Sequence, residues 1–351
     1  MKIQPRSLGQ MLTNSEFGRT TQIDVIKTGR GAFHTKDSCW LNKVVSEFIK
    51  STNLRVAVDP FVGQGDILNL VSSEFSMAKV GYDIDDSTGW KVNDSLVSIP
   101  KMLGSICVTN PPYLANHSAR RKSIWPIVGR YYERFGRTDL YEIALDRCLA
   151  SFDYVVAILP ETFLHSAYPK DRCERVVVLD ENPFTDTTFP VCVTCWVPKI
   201  GQDPTIYVGE AKVIRYSSMI RLREGVCRND RVIFNDPKGN IGLRAIDGTK
   251  GEDRIGFFPG SNFDYPRSRI KSSSRLMTYI KVGELQSAEV IEQFCETSNG
   301  ILEKYRDKTS DTILSSFKGN NRLGKRRRRL DYGFARKVII EALEVIGYNP
   351  V

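Results

Sequence analysis

Histidine is scarce in this chain: 351 residues include three, His34, His117 and His165. A zinc site or a serine-type triad would have to be assembled from these, and nothing around them suggests one. Eight cysteines are scattered along the sequence, and Cys192 and Cys195 are the one pair with CxxC spacing. That pair stands in an apolar run, Val191 to Val197, with no second pair and no nearby histidine, so it reads as two buried thiols in a strand. No stretch of 18 apolar residues occurs, and Lys2 and Arg6 lead into a polar segment where a signal peptide would be apolar. The expectation is an intracellular, cytoplasmic protein. Internal repeats and low-complexity tracts are also missing.

The charge that is present is unevenly placed. Residues 201–351 hold 27 Lys and Arg against 19 Asp and Glu, a net of +8 out of the +9 of the whole chain. A concentrated positive field favours a polyanion, and nucleic acid is the usual one. The length exceeds what one core comfortably serves, which predicts a larger first domain, residues 1–200, and a basic second domain, residues 201–351.

The most informative stretch is Val108-Thr109-Asn110-Pro111-Pro112-Tyr113, which follows the apolar run Ser105-Ile106-Cys107. Two prolines in succession end a strand and leave a stiff, extended corner without N–H donors. The corner offers the Asn110 side-chain oxygen and the Pro111 carbonyl as acceptors, with the Tyr113 ring beside them. A nucleobase amine is a poor nucleophile because its lone pair is delocalised. Two acceptors that take its protons pull it toward tetrahedral geometry while an aromatic ring holds the base. A plain Asn-Pro turn is the structural alternative.

Upstream, residues 37–52 space their apolar groups as a helix opened by Asp37-Ser38, and a strand over residues 54–59 ends in Asp59. Pro60-Phe61-Val62-Gly63-Gln64-Gly65-Asp66 then forms a glycine turn before an apolar helix pattern from Ile67. Such a turn lets backbone approach a ligand closely, and its carboxylates favour a cofactor with a neutral or positive centre over a phosphate. A second strand, residues 78–83, ends in Asp83, placed to accept hydrogen bonds from ribose hydroxyls, with Asp85 as its rival. Asp94 is a candidate for an adenine amine or a loop cap. The polar segment 116–122, with Arg120, Arg121 and Lys122, reads as a mobile loop close to substrate.

A helix over residues 139–150 and strands over residues 154–159, 175–180 and 191–197 complete six to seven strands of a mainly parallel α/β sheet. Asp59, Asp83 and Asn110 all fall at strand C-terminal ends, where such sheets bind ligands. Phe184 and Phe189 flank the polar loop before the last strand, and either could stack on an extruded base. Beyond residue 201 the texture is Gly- and Arg-rich, with short β-type runs at 205–208 and 232–234. The run Lys325-Arg326-Arg327-Arg328-Arg329 suits phosphate contacts, and residues 332–346 read as a closing helix.

These residues together resemble the S-adenosylmethionine-dependent amino-group DNA methyltransferases of restriction-modification systems. Asp59-Pro60-Phe61-Val62-Gly63-Gln64-Gly65 resembles their D-P-x-x-G-x-G cofactor loop, Gly81 to Asp85 their acidic ribose segment, and Asn110-Pro111-Pro112-Tyr113 their catalytic tetrapeptide in its adenine-N6 form. Leu8-Gly9-Gln10-Met11-Leu12-Thr13 resembles the upstream L-G-Q-x-x-T segment, although Asn14 stands where proline often follows. The motif order is that of the gamma class.

The resemblance implies a seven-stranded, mainly parallel Rossmann-like catalytic sheet followed by a DNA-recognition domain. It implies S-adenosylmethionine held by Gly9, Thr13, Asp59, Pro60, Phe61, Gly63, Gly65, Asp83, Ile84, Asp94 and Asn110. The target adenine would lie between Tyr113 and Phe184 or Phe189, in double-stranded DNA, with a cognate endonuclease acting on the same site. Methylation of RNA adenine, methylation of protein glutamine, and a non-catalytic nucleic-acid binder are the alternative readings.

Overall fold

A computed structural model describes residues 38–184, 189–224, 231–250, 253–283, 285, 287–322 and 324–348. Strands β1 (Val56–Asp59), β2 (Ala78–Asp83), β3 (Lys91–Val92), β4 (Ser105–Thr109) and β5 (Tyr154–Pro160) pair in parallel. Every residue of β4 is buried, and so is every residue of β7 (Val191–Trp196), so both faces of the sheet centre are covered and the strands read as unbroken apolar runs. β7 lies antiparallel between β5 and β6 (Cys173–Val178). The Cys192 and Cys195 thiols are fully buried there.

The sheet then continues past the seven strands expected. β8 (Thr205–Val208) joins β6 in parallel, β9 (Ala211–Arg215) closes the edge antiparallel, and the order is β3-β2-β1-β4-β5-β7-β6-β8-β9. The division expected between residues 200 and 201 therefore falls inside the sheet: the β8 hydrogen bonds that need a partner are met by β6, some thirty positions earlier.

Helices α1 (Lys43–Ser51), α2 (Asp66–Phe75), α3 (Asn116–Arg121), α4 (Trp125–Phe135) and α5 (Leu140–Ser151) flank this sheet. α5 opens with a capping box in which Asp139 and Glu142 reciprocally satisfy the first-turn N–H groups. The segment expected as a mobile loop is α3, held in place because Asn116 N–H donates to the Thr138 carbonyl at 2.9 Å.

After α6 (Tyr216–Arg223), strands β10 (Val232–Phe234), β11 (Ile241–Arg244), β12 (Gly256–Pro259) and β13 (Met277–Val282) form an antiparallel sheet in the order β10-β13-β11-β12. The long helix α7 (Ala288–Thr309) covers its β12 edge: Asn299 accepts from Phe257 N–H at 2.8 Å and donates to its carbonyl at 2.9 Å, as a neighbouring strand would. The hairpin β14 (Ser315–Asn320) and β15 (Arg326–Arg329) and the final helix α8 (Tyr332–Val345) follow. One buried apolar cluster contains residues of both sheets, Val193 and Leu243 among them. Among the described residues, no helix is long and apolar enough to cross a membrane.

Candidate active site at the strand ends

β2, β1 and β4 are neighbours, so Asp83, Asp59 and Asn110 come to one rim of the sheet. The bonds between them are direct. Asp59 Oδ1 accepts from the Thr109 hydroxyl at 2.5 Å and from Phe61 N–H at 2.9 Å, which ties the start of the glycine turn to the residue before Asn110. Asp83 Oδ2 accepts from Gly63 N–H at 2.8 Å and Oδ1 from Asp85 N–H at 2.8 Å. Asp85 itself caps a short 3-10 turn through Ser87, so Asp83 is the acid that faces the loop.

Burial dominates the state of Asp59, which is 1% exposed. It lifts the carboxyl to about 7 against the opposing pull of the Thr109 hydroxyl and the Phe61 N–H, and the nearby Asp83 charge adds to the rise.

The glycine turn needs its glycines. Gly63 and Gly65 lie at φ +53° and +85°, where other residues are strained, and Gly65 opens α2. A Cβ on Gly65 would stand 2.8 Å from the Trp90 ring, and one on Gly81 would stand 2.6 Å from it. Trp90 thus lies across the turn and the end of β2. Sequence reasoning passed it over because it follows a polar, turn-forming stretch.

The proline corner is braced from behind. Tyr113 is 7% exposed, and its hydroxyl lies 2.7 Å from the Ile158 carbonyl while also bonding the Asn110 side chain. A hydroxyl has one proton and a carbonyl can only accept. The Ile158 carbonyl and the Asn110 side-chain oxygen therefore share that one proton. Burial also holds the Tyr113 phenol well above its usual range. The following residue is fixed at both ends: Leu114 N–H donates to Asp139 at 2.9 Å, and its carbonyl accepts from the Tyr132 hydroxyl at 2.5 Å.

Both candidate aromatics reach Tyr113. Phe184 is buried and meets it edge-on at 6.4 Å, whereas Phe189 is half-buried and tilted by 31° at the same distance.

A cofactor carrying ribose and adenine finds complementary groups on this rim. Ile84 leaves 52% of its surface exposed beside the Asp83 carboxylate, an apolar face for a flat ring. Asp94 Oδ2 accepts from the Tyr131 hydroxyl at 2.8 Å, while its Oδ1 is buried with no hydrogen-bond partner among the described residues, an acceptor that wants an N–H. Gly9 and Thr13 lie outside the described residues.

The basic candidates part company. Arg120, Arg121 and Lys122 are exposed on and just after α3, with Arg120 seated 3.5 Å over Trp125, which stacks on Tyr132. The run 325–329 is a different matter, because it is strand β15 and its side chains alternate. Arg328 turns inward to the Glu161 carboxylate. Arg326 lies 3.7 Å from the same carboxylate and donates to the Leu179 carbonyl at 2.7 Å. These two are turned to the interior, Arg327 donates to the Asp247 carbonyl at 2.8 Å and lies 5.0 Å over the Phe317 ring, and Lys325 is exposed.

No family model matches the sequence, and no curated protein is similar to it. Among solved structures, the chain is similar to a type I restriction-modification methyltransferase subunit from Streptococcus thermophilus at 14% identity and TM-score 0.37, over 55% of this chain and 54% of that one. It is also similar to the M protein of the type I restriction enzyme EcoKI, at 12% identity and TM-score 0.31, over 44% of each chain. A third likeness is to TrmN from Thermus thermophilus, at 15% identity and TM-score 0.28, over 44% of this chain and 48% of that one. The chain spans about half the length of each.

Proposed function

We propose that this chain is a DNA methyltransferase that moves a methyl group from S-adenosylmethionine to the N6 amine of an adenine flipped out of duplex DNA, as the modification half of a restriction-modification system. The observation that carries this reading is the Thr109–Asp59 hydrogen bond, which fixes the proline corner beside the glycine turn. Asp83 and Asp94 would take the ribose hydroxyls and adenine amine of the cofactor, Ile84 its ring, and residues 59–65 its methionine end. Bound there, S-adenosylmethionine supplies a methyl group on a positively charged sulfur.

The chain's own part is to hold and desolvate the nucleophile. The Asn110 oxygen and the Pro111 carbonyl accept the two amine protons, and Pro112 keeps the corner extended. Tyr113 and Phe189 bound the base, because Phe189 has the more open ring, and Phe184 backs Tyr113. The extra Asp59 charge, forming as a cation settles nearby, would favour the cofactor further. Arg120, Arg121 and Lys122 lie on the element that follows the corner and are placed to meet the phosphates beside the flipped nucleotide.

Incubation with tritiated S-adenosylmethionine and either duplex DNA, RNA or total protein tests the reading: label is expected in duplex adenine. Label confined to RNA or protein overturns it. Asn110→Ala should cut transfer by about 10²–10³-fold or more with little change in cofactor affinity, and Asp83→Ala should weaken cofactor binding first.

A further inference from the structure

The stretch from residue 261 to 276 joins β12 to β13 and carries Arg267, Arg269, Lys271 and Arg275 against one acid, Asp264. Long loops of this composition are usually pliant, and this one is pinned at two points. Arg267 donates to the carbonyls of Pro237, Gly239 and Gly260 at 2.7, 2.9 and 2.8 Å, and its guanidinium stacks 3.9 Å from the Tyr279 ring. Four residues on, Lys271 to Ser274 form a turn closed by Ser274 N–H to the Lys271 carbonyl at 2.9 Å. Neither Ser272 nor Ser273 lies in the left-handed region, as a type I turn requires.

The carbonyls of Lys271, Ser272 and Ser274 are engaged on the protein side. Asn235 donates to those of Ser272 and Ser274 at 3.0 and 3.4 Å, Arg275 to the same two at 3.2 and 2.8 Å, and the Tyr332 hydroxyl to that of Ser274 at 2.9 Å. Among the described residues, no hydrogen bond engages the N–H of Ser272 or Ser273; both residues are exposed, and so are Arg269 and Lys271. Two successive unengaged N–H groups in a turn, with the exposed Arg269 and Lys271 just before them in the chain, suit an anion.

We infer that the Lys271–Ser274 turn is a phosphodiester-binding site, gripping the backbone of duplex DNA through the Ser272 and Ser273 N–H groups and the Arg269 and Lys271 charges. The choice of duplex DNA rests on the proposed function. The site replaces in part the phosphate contacts that burial denies to Arg326 and Arg328.

The test is the salt dependence of duplex binding by the full chain, measured by fluorescence anisotropy on two unrelated sequences. Arg269→Ala with Lys271→Ala should lower affinity on the order of tenfold for both and reduce the slope of log K against log salt by about 2, one phosphate per charge. Arg269→Gln with Lys271→Gln, which keeps side-chain length, must give the same slope. Ser272→Pro removes one N–H at the turn position proline favours and should lower affinity with the slope unchanged.

An unchanged slope in both double variants, or a loss confined to one sequence, overturns the inference. So does unchanged affinity in Ser272→Pro, or a loss seen for an RNA hairpin or anionic phosphatidylserine vesicles but not for DNA. Methyl transfer by the unaltered chain is read alongside. Transfer with an unchanged slope sinks this inference alone, and a changed slope without transfer sinks the proposed function alone.

Discussion

The strand-end rim and the hairpin strand β15 are both dense in charge, and they use it in opposite ways. On the rim, Asp59 and Asp83 each accept from an N–H two residues away and from neutral donors on neighbouring segments, Thr109 and Gly63, within the first half of the chain. On β15, Arg328 and Arg326 find their carboxylate in Glu161, which follows β5 more than 160 positions earlier. Neutral donors hold the rim carboxylates, whereas distant closure consumes the β15 charge in an ion pair.

The largest expected effect lies at that distant closure. Glu161 is 2% exposed and faces two arginines, themselves 13% and 5% exposed at their side chains. Glu161→Ala leaves two buried cations uncompensated, and removing one partner of a buried pair costs about 3–5 kcal/mol. Urea denaturation measures it. A loss under about 1 kcal/mol would mean that the hairpin is not anchored there and that the comparison drawn here fails.

A subtler effect concerns the buried carboxylate of the rim, Asp59. Burial raises Asp59 to about 7, above the usual carboxylate value near 3.8. A raised group contributes its full stability below the unfolded value and loses it as pH climbs through the folded one, so the window runs from about pH 4 to about pH 7. Asp59→Asn keeps an oxygen for the Thr109 hydroxyl and the Phe61 N–H and has no proton to lose. Relative to the unaltered chain, the variant should match it near pH 4 and gain stability progressively toward pH 8, as read from urea midpoints. A difference that is flat across that range would place Asp59 in contact with water.

How far the sequence could be read follows the same division. The glycine turn, the proline corner and their places at strand ends were legible because each is specified within a few residues, whereas the adjacency of β1 and β4 is set by the sheet order. Strand β8 was visible as an apolar run, but its partner β6 was not, since pairing is settled by the fold and not by the run itself.

Helix α7 was missed for a chemical reason. Its buried face, spaced at about four residues, holds Ser298, Arg306 and Thr309 alongside Phe294, Cys295 and Leu302, so no apolar stripe marks it. Of its polar members, Arg306 pairs with Asp311 at 2.6 Å and with Asp247 at 3.4 Å, and the Thr309 hydroxyl donates back to the Tyr305 carbonyl at 2.7 Å. The basic run divides for a related reason, because strand alternation sorts the four arginines of β15 into two environments.

That sorting predicts the smallest effect. Lys325 stands one residue before β15, is exposed, and makes its described hydrogen bond through the backbone, Lys325 N–H to Asn321 Oδ1 at 2.9 Å, which any side chain preserves. Lys325→Ala should therefore shift stability by less than about 0.5 kcal/mol, the range of surface substitutions without a buried partner. Arg328, three positions later in the same run, is held between the Glu161 carboxylate and the core, and Arg328→Ala strands that carboxylate. The contrast within five consecutive basic residues is the sharpest form of the comparison. Equal losses at the two positions, measured under the same denaturant series, would show that the run acts as a block of charge and that the alternation of β15 does not decide which arginines the fold consumes.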